Sequence, residues 1–253
     1  MKPLTEIRKE EQINIVSFGA GQNSTAMIIL MNKEGIRIDE ILFAETDNEM
    51  PKTYEFLIEF KKWCSKNDLN FVSVKSKLGN LREYYMEKKV IPYRMFRHCT
   101  HKFKVVPIMN YIKEKYGIKQ PINMYMGISY EEKKRCMKIS GRKQINFIFP
   151  LVEKEIDREG CIKIIKEERL SVPVKSGCYF CPFQSKKEWI KLYQESPNLF
   201  KISKEFEENG RAYPKGNLMG NMTLKEFEIA LKEQKELFPK EDVALIKCAW
   251  CHS

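Results

Sequence analysis

The sequence predicts an α/β protein: a mostly parallel five-stranded sheet with helices on both faces, followed by a helical C-terminal region. Strand-like and helix-like periods alternate over the first 150 residues, the strands read as short continuous apolar runs, and the strand signal fades after Leu151.

The predicted strands are INIVSF (13 to 18), EILFAET (40 to 46), NFVSVKS (70 to 76), INMYMGIS (122 to 129) and INFIFPL (145 to 151). Each is short and rich in β-branched or aromatic residues, as a strand buried on both faces requires. Between them STAMIILMNKEG, KTYEFLIEFKKWCSKN and FKVVPIMNYIKEKYG carry helical spacing, with Gly35 and Gly117 where helices would stop. Downstream, DREGCIKIIKEERL, SKKEWIKLYQESP, NLFKISKEFEENG and TLKEFEIALKEQKELF read as helices, and RAYPKGNLMGNM (211 to 222) as the candidate mobile loop. A soft boundary is expected near residue 152, dividing 1–152 from a cysteine-containing helical region, 153–253, packed on it.

With 253 residues, 43% of them apolar, the chain can bury a sizeable core. Its first sixteen residues are mostly polar and charged, and nowhere do eighteen apolar residues run together, so a soluble cytoplasmic protein with no membrane partner is expected. Eight cysteines in such a compartment point to metal or redox chemistry more than to disulfides. The formal charge of +11 suits polyanionic partners, although a Lys-rich genome would leave the same mark. Two runs are sharper: RMFRHCTHKFK (94 to 104) and KKRCMKISGRK (133 to 143) hold ten Lys and Arg together and no acid.

Where the first strand should give way to the first helix the chain reads SFGAGQNST (17 to 25). Small residues let backbone N–H groups approach a ligand, the helix start adds partial positive charge, and Ser17, Ser24 and Thr25 offer hydroxyls. A phosphate is the natural guest, and a tight packing turn is the plainer alternative. The Walker A spacing with its Lys is absent, and so is GxGxxG.

Further segments lie in order behind this loop: LFAETDNEMPKTYEF (42 to 56), RHCTHKFKVVP (97 to 107), GISYEEKKR (127 to 135), FPL (149 to 151) and SGCYFCPF (176 to 183). Together with the loop they resemble the phosphoadenosine phosphosulfate (PAPS) reductase-like family of the adenine nucleotide alpha hydrolase, or PP-loop ATP pyrophosphatase, superfamily. The resemblance spans roughly residues 12 to 205. It departs at Gly19 and Ala20, where Ser and Gly are usual, at Gln22 for a common Lys, and at Asn23 for Asp.

The resemblance implies an adenine nucleotide, ATP with Mg2+ or a sulfonucleotide, bound in the N-terminal region. Ser17, Gly19, Gly21, Asn23, Ser24 and Thr25 would hold its phosphates, and backbone around Phe43 to Thr46 would face adenine or ribose. Asp47 or Glu45 would bind ribose or magnesium, unless the acidic pair is only a solvated turn. Gly127 belongs to the same site, and with an uncharged loop phosphate neutralisation falls to Arg97, Lys104, Arg135 or magnesium.

The cysteines carry a second expectation. Cys178-x-x-Cys181 and Cys248-x-x-Cys251 are soft thiolate pairs suited to zinc or an iron-sulfur cluster, and all three histidines adjoin a cysteine, in His98-Cys99-Thr100-His101 and Cys251-His252. Cluster-bearing sulfonucleotide reductases place a Cys-Cys pair where His98-Cys99 stands here. A 4Fe-4S cluster on Cys99, Cys178 and Cys181 is expected, its fourth position filled by Cys248 or Cys251 or left open, with Zn2+ as the rival. The reductases also use a C-terminal cysteine as nucleophile, a role open to Cys251 or Cys248 beside Lys247 and His252. Cys64 and Cys161 read as core residues, and Cys136 is left open.

These readings converge on ATP-dependent sulfur transfer to an adenylated acceptor, such as tRNA, DNA or a modified small nucleotide. The sulfur donor would be a cysteine desulfurase or thioredoxin-like protein. The alternatives are an APS/PAPS reductase, and a non-catalytic protein that binds nucleotide or nucleic acid.

Overall fold

The structure, a computed structural model, describes residues 12–94, 96–139, 144–210 and 216–237. Outside the described residues lie Cys248 and Cys251, residues 140–143 of the second basic run, and residues 211–215 of the candidate mobile loop. The elements follow in the order β1 (Ile13–Phe18), α1 (Gln22–Lys33), β2 (Glu40–Glu45), α2 (Pro51–Lys66), β3 (Phe71–Lys75), α3 (Leu81–Glu87) and α4 (His98–Thr100). A π-helical stretch, His101–Val105, leads into α5 (Val106–Tyr116), then β4 (Ile122–Met126), a 3-10 helix (Tyr130–Lys138), β5 (Ile145–Ile148), α6 (Pro150–Glu153), α7 (Arg158–Glu167), α8 (Lys186–Glu195), α9 (Pro197–Asn209) and α10 (Leu224–Leu237).

All five predicted strands form, and every pairing is parallel, in the order β3-β2-β1-β4-β5. Alternation along β1 and β2 explains the two-sided burial. Val16, Phe18, Ile41 and Phe43 face one core with residues of α1, α2 and α7, where the Phe18 and Phe60 rings stack at 4.6 Å. Ile15, Leu42 and Ala44 face the other with Ile108 and Ile112 of α5. The register is marked by an asparagine row: Asn14 pairs with Asn123 and Asn123 with Asn146. Asn123 Nδ2 donates to Asn14 Oδ1 at 2.9 Å, and Asn146 Nδ2 to Asn123 Oδ1 at 3.2 Å. A one-residue slip would break this row and exchange the two cores.

Gly35 and Gly117 stand just beyond α1 and α5 with φ of 65° and 83°, a conformation that glycine adopts without strain. The short α3, the single turn α4 and the π-helical stretch were not expected from periodicity, being too brief for a 3.6-residue pattern to register.

The chain forms two compact units. The described residues of Met1–Leu81 and His98–Cys178 make the first, which holds the whole sheet; those of Arg82–Arg97 and Tyr179–Ser253 make the second. The change from strands to helices near residue 152 lies inside the first unit. In the second, α8 starts on a capping box: the Ser185 hydroxyl accepts from the Glu188 N–H while the Glu188 carboxylate accepts from the Ser185 N–H. Phe180, Trp189, Phe200 and Phe206 form its core, and the buried Glu207 carboxylate accepts the N–H groups of Leu218 and Leu224 at 2.7 and 2.6 Å. Among the described residues no helix is long and apolar enough to cross a membrane.

Candidate nucleotide and thiol site

Strand order reverses between β1 and β4, so the carboxyl ends of these two strands flank the switch point where ligands bind in such sheets. The glycine-rich loop lies there, between Phe18 and Gln22. Its N-cap is Gly21, which has no side chain to cap the first turn of α1, and that turn contains no acid. The N–H groups there, with about half a positive charge from the helix dipole, are left to a ligand.

The hydroxyls predicted to face the ligand brace the turn from within. Ser24 Oγ accepts the Gly19 N–H at 3.3 Å and donates to the Gly21 carbonyl at 3.2 Å; Thr25 Oγ1 donates to the same carbonyl at 2.9 Å. Both residues are buried. Ala20, fully buried, holds a φ of 54°, a strained conformation for an L-residue that costs about 1–3 kcal/mol.

Gly127 closes the loop from β4. A Cβ there would lie 2.5 Å from the Ser24 Cα and 2.6 Å from the Ser24 nitrogen, so only glycine lets the two backbones meet. Beyond it, Asn23 Nδ2 donates to Ser129 Oγ at 3.1 Å and to Glu132 Oε2 at 3.2 Å, and Arg135 pairs with the other Glu132 oxygen at 2.7 Å. Asn23, Gly127 and Arg135, far apart in sequence, therefore share one network. Gln22, in place of the common Lys, accepts from Arg158 Nε at 2.9 Å and donates to the Pro173 carbonyl at 3.1 Å. A second cation thus stands at the loop, supplied by the start of α7.

A second constellation gathers at the end of β2. Glu49 is buried, its side chain 1% exposed, and its Oε1 accepts from Lys104 Nζ at 2.8 Å and from Thr46 Oγ1 at 3.3 Å. Its Oε2 is buried and finds no hydrogen-bond partner among the described residues. Cys178 forms an antiparallel bridge with Glu49, its Sγ lies 3.8 Å from Thr46 Oγ1, and the Met50 N–H donates to the Gly177 carbonyl at 3.1 Å. Three of the sequence-flagged segments meet here through Thr46, Lys104 and Cys178, and Lys104 stands within the π-helical stretch, a local geometry frequent at functional sites.

Other flagged residues go elsewhere. Asp47 pairs with Lys75 at 2.7 Å while its N–H donates to Glu45, whose carboxylate also accepts from the Tyr54 hydroxyl at 3.0 Å. Arg97 belongs to the second unit, its guanidinium 4.9 Å from the centre of the Phe183 ring. Cys178 closes the first unit and Cys181 falls in the second. Among the described residues no three His, Cys, Asp or Glu side chains converge as a metal site. Cys64 and Cys161 are fully buried, and burial pushes both thiols up to about 12, which suits inert core residues. Burial also raises the Cys136 thiol, against a weaker lowering by Arg135.

Sequence reasoning missed Glu49 and Arg158, and assigned Glu132 no role. Glu132 is the acid of the quoted GISYEEKKR segment and Glu49 lies inside ETDNEMP, so position signalled both; nothing in the sequence ties Arg158 to Gln22.

A parallel sheet whose strand order reverses at a glycine-rich turn defines a doubly wound α/β protein. The family model for the phosphoadenosine phosphosulfate reductase domain matches residues 13–144, and the chain belongs to that family. An uncharacterized protein of Methanocaldococcus jannaschii is 33% identical over 197 residues, covering 73% of this chain; the chain spans only 45% of that relative. Among solved structures, phosphoadenylyl-sulfate reductase from Candida auris in a phosphate complex shares 16% identity over 63% of this chain and 74% of its own, with a TM-score of 0.47. The U34-tRNA thiolase NcsA from Methanococcus maripaludis with its 4Fe-4S cluster shares 12% identity over 80% of this chain and 73% of its own, with a TM-score of 0.44.

Proposed function

We propose that the chain is an ATP-dependent sulfur-transfer enzyme that adenylates its acceptor. The observation that carries this reading is the uncapped, acid-free start of α1, closed by Gly127 and flanked by Arg135 and Arg158. Its backbone N–H groups would hold the α- and β-phosphates of ATP, and the guanidiniums would supply the positive charge that Gln22 lacks. An acceptor oxygen attacks the α-phosphorus, the bond to the bridging oxygen breaks and pyrophosphate leaves; a sulfur nucleophile then forms a bond to the acceptor carbon as its bond to oxygen breaks and AMP leaves. Fixed donors around the phosphorus stabilise the charge that develops in the first step.

Cys178 is held against Glu49 at the end of β2, in the same unit as the loop. An iron-sulfur cluster, with zinc as its rival, on cysteine thiols of the chain belongs to the proposal. Anaerobic purification should give a brown protein absorbing near 400 nm, and stoichiometric zinc in a colourless preparation would sink the cluster.

Reduction of a sulfonucleotide is the second reading, favoured by the family to which the chain belongs. One experiment separates the two. Magnesium-dependent pyrophosphate release from ATP supports sulfur transfer, whereas robust sulfite formation from PAPS in the absence of ATP supports reduction. If neither occurs and nucleic acid binds, the chain is a binding protein.

A further inference from the structure

We propose that the second unit carries a stacking surface for unpaired bases of a single-stranded nucleic acid, formed by Tyr93, Phe96 and Phe183 with Arg94 and Arg97. This rests on the reading that the sulfur acceptor is a nucleic acid, and names its class.

Three aromatic rings of this unit are partly exposed to solvent: Tyr93 is 43% exposed, Phe96 62% and Phe183 39%. The unit is not short of interior, since Phe180, Trp189 and Phe206 are buried below 2%. Exposed rings beside a buried aromatic core suit a surface that a ligand covers.

The rings are ordered by their neighbours. Tyr93 and Phe96 lie with centroids 6.0 Å apart, and a Cβ at Gly216 would come within 3.4 Å of the Tyr93 ring. Arg97 and Arg94 lie over Phe183 at 4.9 and 6.0 Å, and Arg94 is tied down by the carbonyls of Pro182 and Gln184. A surface held in place before binding loses little entropy on binding.

Charge chooses the partner. From Lys89 to Arg97 three of nine residues are basic and none is acidic, while Lys88 before them pairs with Glu87. Aromatic faces interleaved with arginines suit bases stacked on rings with phosphates on guanidiniums. A duplex keeps its bases stacked on each other and offers the rings nothing, so the surface selects single strands.

The test uses the full chain, a fluorescein-labelled 12-mer of uridine and a 12-base-pair RNA duplex, titrated between 50 and 200 mM salt. The single strand should bind more tightly than the duplex. Phe96→Ala with Phe183→Ala should weaken it at least tenfold without changing the salt slope, and Phe96→Trp should retain affinity. Arg94→Ala should lower both the affinity and the slope, the latter by about 0.7 for one phosphate contact. ATP affinity, measured alongside, should be unchanged in the aromatic variants, so that a loss is not unfolding. Equal binding of strand and duplex, or wild-type binding by the double aromatic variant, overturns the proposal. Absence of RNA binding by a protein that still releases pyrophosphate from ATP overturns it too, and leaves the sulfur-transfer reading standing.

Discussion

Replacing Gly127 with alanine should damage the nucleotide site from outside it. The added Cβ would sit 2.5 Å from the Ser24 Cα and 2.6 Å from its nitrogen, and both are backbone atoms of the first turn of α1. Relief to an ordinary contact of about 3.5 Å needs a displacement of about 1 Å between β4 and α1. Overpacking of this kind costs about 1–3 kcal/mol, which for a unit of this size is a fall in Tm of about 2–12 °C. Chemistry should suffer more, because a misplacement of about 1 Å in a catalytic arrangement can cost on the order of a hundredfold in rate. Scanning calorimetry and pyrophosphate release from ATP measure the two effects. Gly19→Ala is the stability control, since a Cβ at Gly19 meets nothing within 4 Å. A Gly127→Ala protein with wild-type Tm and wild-type turnover would refute the close-approach argument.

Three further outcomes follow from the geometry. Lys104→Met should cost about 2–4 kcal/mol in urea unfolding, because it strands the Glu49 carboxylate, 1% exposed; the cost stays below that of a fully buried pair since Lys104 is 33% exposed, and Glu49→Gln added to it should recover most of the loss. Arg158→Ala should weaken ATP binding about tenfold by calorimetric titration, and Gln22→Lys in that background should restore part of it, since both place a cation at the same helix start. Cys64 and Cys161, with thiols raised from 9.0 to about 12, should resist iodoacetamide at pH 8; the stability they contribute is complete below pH 9 and lost as pH rises toward 12, since only the unfolded chain ionises there, as a pH series of urea curves would register.

The sheet was legible because its strands are apolar runs with clear breaks, and two-sided burial needs no subtler pattern than Ile13–Phe18 or Glu40–Glu45 supplies. The loop was legible as a composition, and Gly127 as part of a motif. Its reason, contact with the Ser24 backbone, needed the fold. Arg158 was beyond reach because 136 residues separate it from Gln22, and only the packing of α7 on α1 joins them. Glu49 was hidden by its charge: a carboxylate in a polar turn reads as solvated, and its burial follows from Lys104 and from the strand-like pairing of Cys178. Asp47 drew attention for the same charge, and in the fold it pairs with Lys75.

The central claim is that the α1 helix start binds ATP for cleavage between its α- and β-phosphates. Product analysis with ATP labelled at the α-phosphate and magnesium tests it most directly. The wild-type chain should yield AMP and pyrophosphate in equal amounts once an acceptor and a sulfur donor are both present, and Asn23→Ala with Ser24→Ala should yield neither. Formation of ADP and phosphate, or undiminished AMP formation by the double variant, would contradict it.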